Sequence, residues 1–410
     1  MRLLIYEHVS GGDFADKPIP ARVLSEGFGM LRTLIADFKS AGHYVTSTLD
    51  SRLAKLNPPM DADCIVPVFS SREVQTAIRK ISESADAAYV IAPETKGVLQ
   101  SLVENVEDTG AASLNCPADA IENVADKTVL HASLRKLGVP TPETITFSVA
   151  DGVEEVKRAI RDRLRFPLIF KPSNDVSCGG LSVVRNARQV AGAVDKIKQE
   201  SQSIRFLAQE LIVGDAVSVS LIATGGNAVS VSLNRQDLTI GAPDAVSSYS
   251  GGSVPFDHPL QRRAFAVAEQ SVKSFRDLRG YVGVDLVLTD AEAVAIEVNP
   301  RLTTSYVGLR RVVNFNPAEA IVNAASKRKL PADIQTCGYA FFSKVETPPP
   351  TAGALQKIYE INDIVSPPFP VSSNSVAYAL VSSHAATLKA AAARFRETKK
   401  RVLNTISRGK

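Results

Sequence analysis

Residues 281–301, YVGVDLVLTDAEAVAIEVNPR, constrain this chain more than any other stretch, because they carry two acids inside what reads as a pair of buried strands. Apolar runs on either side of a turn around Asp290, Ala291 and Glu292 predict a β-hairpin. A turn centred on Ala291 sets Asp285 opposite Glu297, and the two-residue strand period puts the oxygen of Asn299 on the same face as Glu297. Like charges paired across strands repel. Leu286, Val287, Ile296 and Val298 make both strands read as buried, so a bound cation rather than solvent would relieve the conflict. Oxygen donors without His or Cys favour a hard ion, Mg2+ or Mn2+. Mg2+ held by few carboxylates completes its shell with water and phosphate oxygens, which implies a nucleotide. Arg301, two residues past Asn299, is placed to meet the same phosphates.

A second constellation begins with Phe170, Lys171 and Pro172 at a strand end, followed by a loop of small residues, 173–180, that ends in Gly179 and Gly180. Free backbone N–H groups beside a lysine make such a loop a phosphate cover. Lys127 opens the helix that follows Asp126, where it either reaches a phosphate or lies on the surface. Gln209 and Glu210 end a β run just before Leu211 and Ile212; polar groups beside apolar ones suit an adenine edge, and equally an ordinary strand end. Glu94, in the loop after a strand at 88–91, touches a ligand or caps the next helix. Cys178 reads as a small loop filler, and His8, His43, His131, His258 and His384 as packing or surface.

The 410 residues leave room for two or three compact units. A β-loop-α opening and short apolar runs at 65–69 and 88–91 predict a small parallel sheet over roughly the first hundred residues. Helix 126–137 follows, and from Phe166 short β runs divided by glycine turns predict an antiparallel domain. The fold class is therefore mixed, α/β then α+β, with units expected at 1–105, 106–325 (inner small lobe about 140–210) and a β/α extension at 326–410. Four scattered cysteines with no CxxC pair suggest neither a disulfide framework nor a zinc site, and a reducing cytoplasm fits them. The apolar amino-terminal run stops at Glu7, too soon for an export signal or membrane anchor. A net charge of +4 is too mild to demand nucleic acid, and the basic carboxy-terminal stretch reads as a solvated helix face.

In order, Lys127, FKP with Lys171, SNDVSCGG, QELIVG, GVDLVL and EVNPR resemble the ATP-grasp superfamily over roughly residues 110 to 310. The resemblance implies two α+β lobes that clasp ATP behind a pre-ATP-grasp domain. It implies that Lys127 and Lys171 bind phosphates under Gly179 and Gly180, and that Gln209, Glu210 and Ile212 hold adenine. Asp285, Glu297 and Asn299 would carry Mg2+ or Mn2+, with Arg301 facing the transferred phosphoryl group. Where relatives place a ribose-binding Glu, this chain has Asp215; where D-alanine ligases have an Arg, it has Gly283, which argues against that subgroup.

Within the superfamily, the segments ARVLSEGFGMLRTLIADFKSAGH, YVIAPET, NRQ and EVNPRLTTSYVGL resemble the tyramine/glutamate ligases of methanofuran biosynthesis. That likeness implies an ATP-dependent, ADP-forming ligase joining the side-chain carboxylate of glutamate to tyramine, tyrosine or a similar amine through an acyl phosphate. Arg235, with Ser248 and Gly251, would orient the substrate, and Lys171 and Arg301 would act in phosphoryl transfer. The expected partners are a small-molecule amino acid and an amine, with no nucleic acid or membrane, and a homodimer is left open. Two rival readings also stay open: an amino-acid ligase like that of the pyrrolysine pathway, and a regulatory module that holds ATP without catalysis.

Overall fold

The computed structural model describes residues 1–175, 178–371 and 375–408. Five parallel strands open the chain, β1 (Arg2–Glu7), β2 (Tyr44–Asp50), β3 (Cys64–Val68), β4 (Ala87–Ile91) and β5 (Ala112–Ser113), in the order β3-β2-β1-β4-β5. Leu3, Leu4, Ile5 and Tyr6 are all buried, as befits a central strand covered on both faces. β2 lacks a hydrophobic run, and its backbone is satisfied by β1 on one side and β3 on the other. The loop leaving β4 carries Glu94 to the site described below.

A small lobe follows, with β6 (Thr144–Ser148), β7 (Leu168–Pro172), β8 (Ser182–Val184) and β9 (Arg205–Glu210) antiparallel in the order β6-β9-β7-β8. Helices Val153–Arg163 and Val190–Glu200 bury Val156, Ile160, Val194 and Ile197 in its core. The Phe206 ring lies 5.4 Å from that of Phe147 and 5.5 Å from that of Phe170. This core is built wholly from residues 145–208, so the lobe packs on its own side chains.

The remaining strands form one antiparallel sheet: β10 (Asp215–Thr224), β11 (Ala228–Thr239), β12 (Ser248–Val254), β13 (Arg279–Leu288), β14 (Ala293–Asn299), β15 (Tyr339–Thr347), β16 (Ile364–Ser366) and β17 (Ala377–Ala385). Its order is β14-β13-β10-β11-β12-β15-β17-β16. The segment from 326 onward is therefore not set apart; three of its strands complete this sheet. Leu3, Ile5, Leu31 and Phe38 share a core with Tyr281, Tyr306, Phe342 and Leu380, so the first sheet and the large sheet pack as one body. Helix Ala21–Ser40 is the wedge between them, and at Gly29 a Cβ would fall 2.7 Å from Leu380 Cδ2. The final helix, Leu388–Ser407, buries Ala391, Thr398, Val402 and Ile406 and leaves Arg396, Lys399 and Lys400 in solvent, as a solvated basic face requires. Among the described residues no helix is long and apolar enough to cross a membrane.

Candidate active site

β13 and β14 do pair Asp285 with Glu297, by a different route from the one expected. The turn is centred between Asp290 and Ala291, closed by Thr289 N–H donating to Glu292 O at 2.9 Å, and alone it would oppose Asp285 to Ile296. A bulge at Ile296 shifts the register by one residue and restores the pair. Asn299 Nδ2 donates to Asp285 Oδ2 at 3.1 Å, and Gln236 Nε2 donates to Asp285 Oδ1 at 3.0 Å.

Three cations surround these acids. Lys127, the first residue of helix Lys127–Lys136 after its Asp126 cap, sends Nζ to Glu297 Oε1 at 3.0 Å and donates to Asp175 O at 2.6 Å. Lys171, near the end of β7, is buried. Arg301 Nε lies 3.0 and 2.9 Å from the two carboxylate oxygens of Glu94, which reaches in from the loop after β4. Glu94 thus neither caps a helix nor stands free; it fixes a cation of the site.

Burial, and then the Glu297 charge, push the Asp285 carboxyl up to about 7, against the Asn299 and Gln236 donors. Burial works the same way on Glu297, but Lys127 and Lys171 overcome it and hold that carboxyl below its ordinary value. Burial, helped by Lys127, brings the Lys171 ammonium down to about 8. Two carboxylates and an amide oxygen, one acid of which resists ionising beside the other, fit a hard divalent cation. Among the described residues no three His, Cys, Asp or Glu side chains converge as a metal cage, and a cation held here would need the Asn299 amide oxygen as its third donor.

The raised Asp285 value has a consequence for stability. A carboxyl that keeps its proton longer in the folded chain than in the unfolded one makes stability fall as pH climbs from the ordinary carboxylate range, near 3.8, through about 7. In metal-free protein this group should remove up to about 4 kcal/mol between roughly pH 4 and pH 7. Asp285→Asn should flatten that slope in urea unfolding; equal slopes for the two proteins would refute it.

Other expected residues are placed elsewhere or otherwise occupied. Arg235 lies on the opposite face of the sheet from Asp285: Asp285 pairs with Ser218, Ser218 with Asn234, and so Asn234 and Gln236 share the face of the acids while Arg235 points away. Its guanidinium sits 5.9 Å over the Phe256 ring and 3.7 Å from Asp237. Arg235→Ala is therefore expected to leave kcat/KM within about twofold, whereas Gln236→Leu, which strips a donor from a carboxylate, should lower it about tenfold or more. A raised KM for one substrate in Arg235→Ala would return the arginine to the site.

Gln209 is not an adenine edge. Its buried amide Nε2 lies 2.9 Å from His131 Nε2 and donates to Thr144 Oγ1 at 2.8 Å. His131 Nδ1 is 2.6 Å from Thr141 Oγ1, whose hydroxyl donates to Ala295 O at 3.1 Å, so His131 donates from Nδ1 and accepts from Gln209 at Nε2. Burial, with Lys171 and Lys127 nearby, holds His131 neutral. This knot ties the small lobe to the lysine helix and the acidic hairpin.

Glu210, at the end of β9, and Ile212, in the connection from β9 to β10, remain partly exposed, and Asp215 is exposed, 3.6 Å from His258. In the glycine loop, Val176 and Ser177 lie outside the described residues. The Gly180 N–H is not free as expected: it donates to Glu200 Oε2 at 2.8 Å, with φ +69° that favours glycine. Gly179 has no such constraint, a Cβ there coming no closer than 3.5 Å to Glu200 O. Ser248 pairs with Thr239, and Gly251, at φ +144°, sits where β12 carries an extra residue against β11. That irregularity brings Tyr249, not Gly251, to the face of the acids. Gly283 leaves no room for a side chain, since a Cβ would fall 2.5 Å from Thr303 Cγ2.

Residues 124–305 match the ATP-grasp domain and residues 43–121 the pre ATP-grasp 3 domain. The chain carries an ATP-grasp domain. It is 27% identical over 335 residues, covering 81% of this chain and 97% of the other, to the tyramine–L-glutamate ligase of Methanocaldococcus fervens. A putative ATP-grasp superfamily protein from Archaeoglobus fulgidus superposes with a TM-score of 0.63 at 22% identity, over 93% of this chain and 99% of that one. A biotin carboxylase from Campylobacter jejuni, solved as a β-γ-ATP complex, does so with a TM-score of 0.71 at 16% identity, over 99% and 95%. ATP-grasp enzymes are ATP-dependent, ADP-forming ligases that work with Mg2+ or Mn2+, and this ATP-grasp chain falls in that class.

Proposed function

We propose that this ATP-grasp enzyme joins the side-chain carboxylate of L-glutamate to tyramine or a closely similar amine. The observation that carries the reading is the convergence of Asp285, Glu297 and Asn299 with Lys127, Lys171 and Arg301 in one cluster between the small lobe and the large sheet. The likeness to a tyramine–L-glutamate ligase over 81% of the chain supports the choice of substrates.

Asp285, Glu297 and the Asn299 amide oxygen would hold Mg2+, which supplies charge neutralisation at the phosphates. Lys127 and Lys171 bind the phosphates, and Glu210 and Ile212 border the adenine. Arg301, oriented by Glu94, faces the phosphoryl group as a carboxylate oxygen attacks its phosphorus and ADP leaves. The amine nitrogen then attacks the acyl carbon, phosphate departs, and the nitrogen loses a proton to give the amide. The small lobe shields the activated acyl group from water.

ADP release should require both L-glutamate and an amine, and the product mass should equal their sum less one water. A panel of tyramine, tyrosine and lysine identifies the amine. ADP release indifferent to both substrates, or nucleotide binding without release, would reject the reading.

A further inference from the structure

A second charged cluster adjoins the first and draws on both ends of the chain. Lys344, in the middle of β15, forms an ion pair with Glu26 of helix Ala21–Ser40, 318 positions away, and the two side chains are only 7% and 19% exposed. The Lys344 ammonium lies 5.4 Å from the centre of the Tyr249 ring. Glu26 Oε2 accepts from Thr304 Oγ1 at 2.8 Å, three residues beyond Arg301. Arg22, one helical turn before Glu26, donates to Tyr249 O at 3.3 Å. The sheet continues this face: Gln236, which holds Asp285, pairs with Gly252, Gly252 pairs with Phe342, and Lys344 is two residues further on the same side. The Cys178 thiol lies within electrostatic reach of Lys344, Glu26, Arg22 and Glu297, so the two clusters are neighbours.

We propose that Glu26, Lys344 and Arg22 form the subsite for the α-amino-acid head group of the acid substrate, Glu26 taking its ammonium and Lys344 with Arg22 its carboxylate. The inference rests on the ligase reading above and adds the residues that recognise the acid. A zwitterion presents each partner of the Lys344–Glu26 pair with the opposite charge, so on entry the pair exchanges one ion contact for two without a change of net charge. A nearly buried ion pair typically contributes little net stability, which leaves recognition as its more effective use. Anchored there beside Thr304, the substrate extends its side-chain carboxylate toward Arg301 and the acidic hairpin.

The test pairs two variants with two analogues. γ-Aminobutyrate lacks the α-carboxylate of glutamate, and glutarate lacks the α-ammonium. The wild type should prefer glutamate over each by about fiftyfold or more in kcat/KM. Lys344→Met should collapse the preference over γ-aminobutyrate to within about threefold and keep that over glutarate; Glu26→Gln should do the reverse, with the KM for ATP unchanged in both. If each variant lowers kcat/KM equally for all three acids, the pair is a structural strut and the inference is wrong. If the wild type shows no glutamate-dependent ADP release, the ligase reading fails, and thermal shift decides the subsite alone. A Tm rise with L-glutamate that is lost in Lys344→Met upholds it, and no rise in the wild type overturns it.

Discussion

Asp285→Asn and Glu297→Gln should each lower kcat by about a thousandfold or more while leaving the chain folded. Each removes one of the two carboxylates that would hold the cation, and a phosphoryl transfer without that neutralisation loses several kcal/mol of transition-state stabilisation. The two variants part company in stability. Asp285 is a carboxyl held against its own ionisation by burial and by Glu297, so its amide should equal or exceed the wild type in metal-free Tm. Glu297 is the counter-ion of Lys127 at 3.0 Å, and Glu297→Gln should lower Tm by leaving Lys127 and Lys171 less compensated. Single-turnover assays of ADP formation beside thermal unfolding separate the two effects. Turnover in Asp285→Asn within tenfold of the wild type would end the metal assignment.

Glu94→Ala is expected to hurt folding and turnover together. Glu94 is buried, and both its oxygens lie within 3.0 Å of Arg301 Nε, so its removal strands a guanidinium in a nearly dry setting. Breaking such a pair from one side typically destabilises by about 3–5 kcal/mol. Arg301 would also lose its aim, which should reduce kcat by about a hundredfold with little change in the KM for ATP. Glu94→Gln, which keeps an oxygen for Arg301, should recover part of both losses. A variant that melts early yet turns over normally at low temperature would show that Glu94 only braces the fold.

This dependence of Arg301 on a loop of the first sheet was half visible in the sequence. Glu94 stood out after a short apolar strand, with capping and ligand contact as its two alternatives, and nothing local could indicate an arginine 207 positions further along. The acidic hairpin was more legible, because strand alternation and turn residues are encoded within twenty neighbouring positions. Even there the pairing of Asp285 with Glu297 came from a turn and a bulge acting together, and the bulge at Ile296 leaves no mark in an unbroken apolar run. Arg235 shows the converse. Residues 234 and 236 share a face whatever the fold, but which face meets Asp285 depends on the pairing of β10 with both β11 and β13. The family resemblance put Gln209 at the adenine and Gly180 over the phosphates; in the fold, His131 with Thr144 occupies the Gln209 amide and Glu200 takes the Gly180 N–H.

What the sequence determined alone was local: a parallel opening, short antiparallel β runs from Phe166 onward, and a hairpin bearing two acids and an asparagine. Such features follow from periodicity, capping and turn chemistry, each a matter of a few adjacent residues. The tertiary structure decided which groups reach the site and which are already partnered, and it brought Glu26 to Lys344 across almost the whole chain. Those outcomes depend on strand order, register and burial, which arise only when distant segments exclude water from one another and must pair their polar groups as they do so.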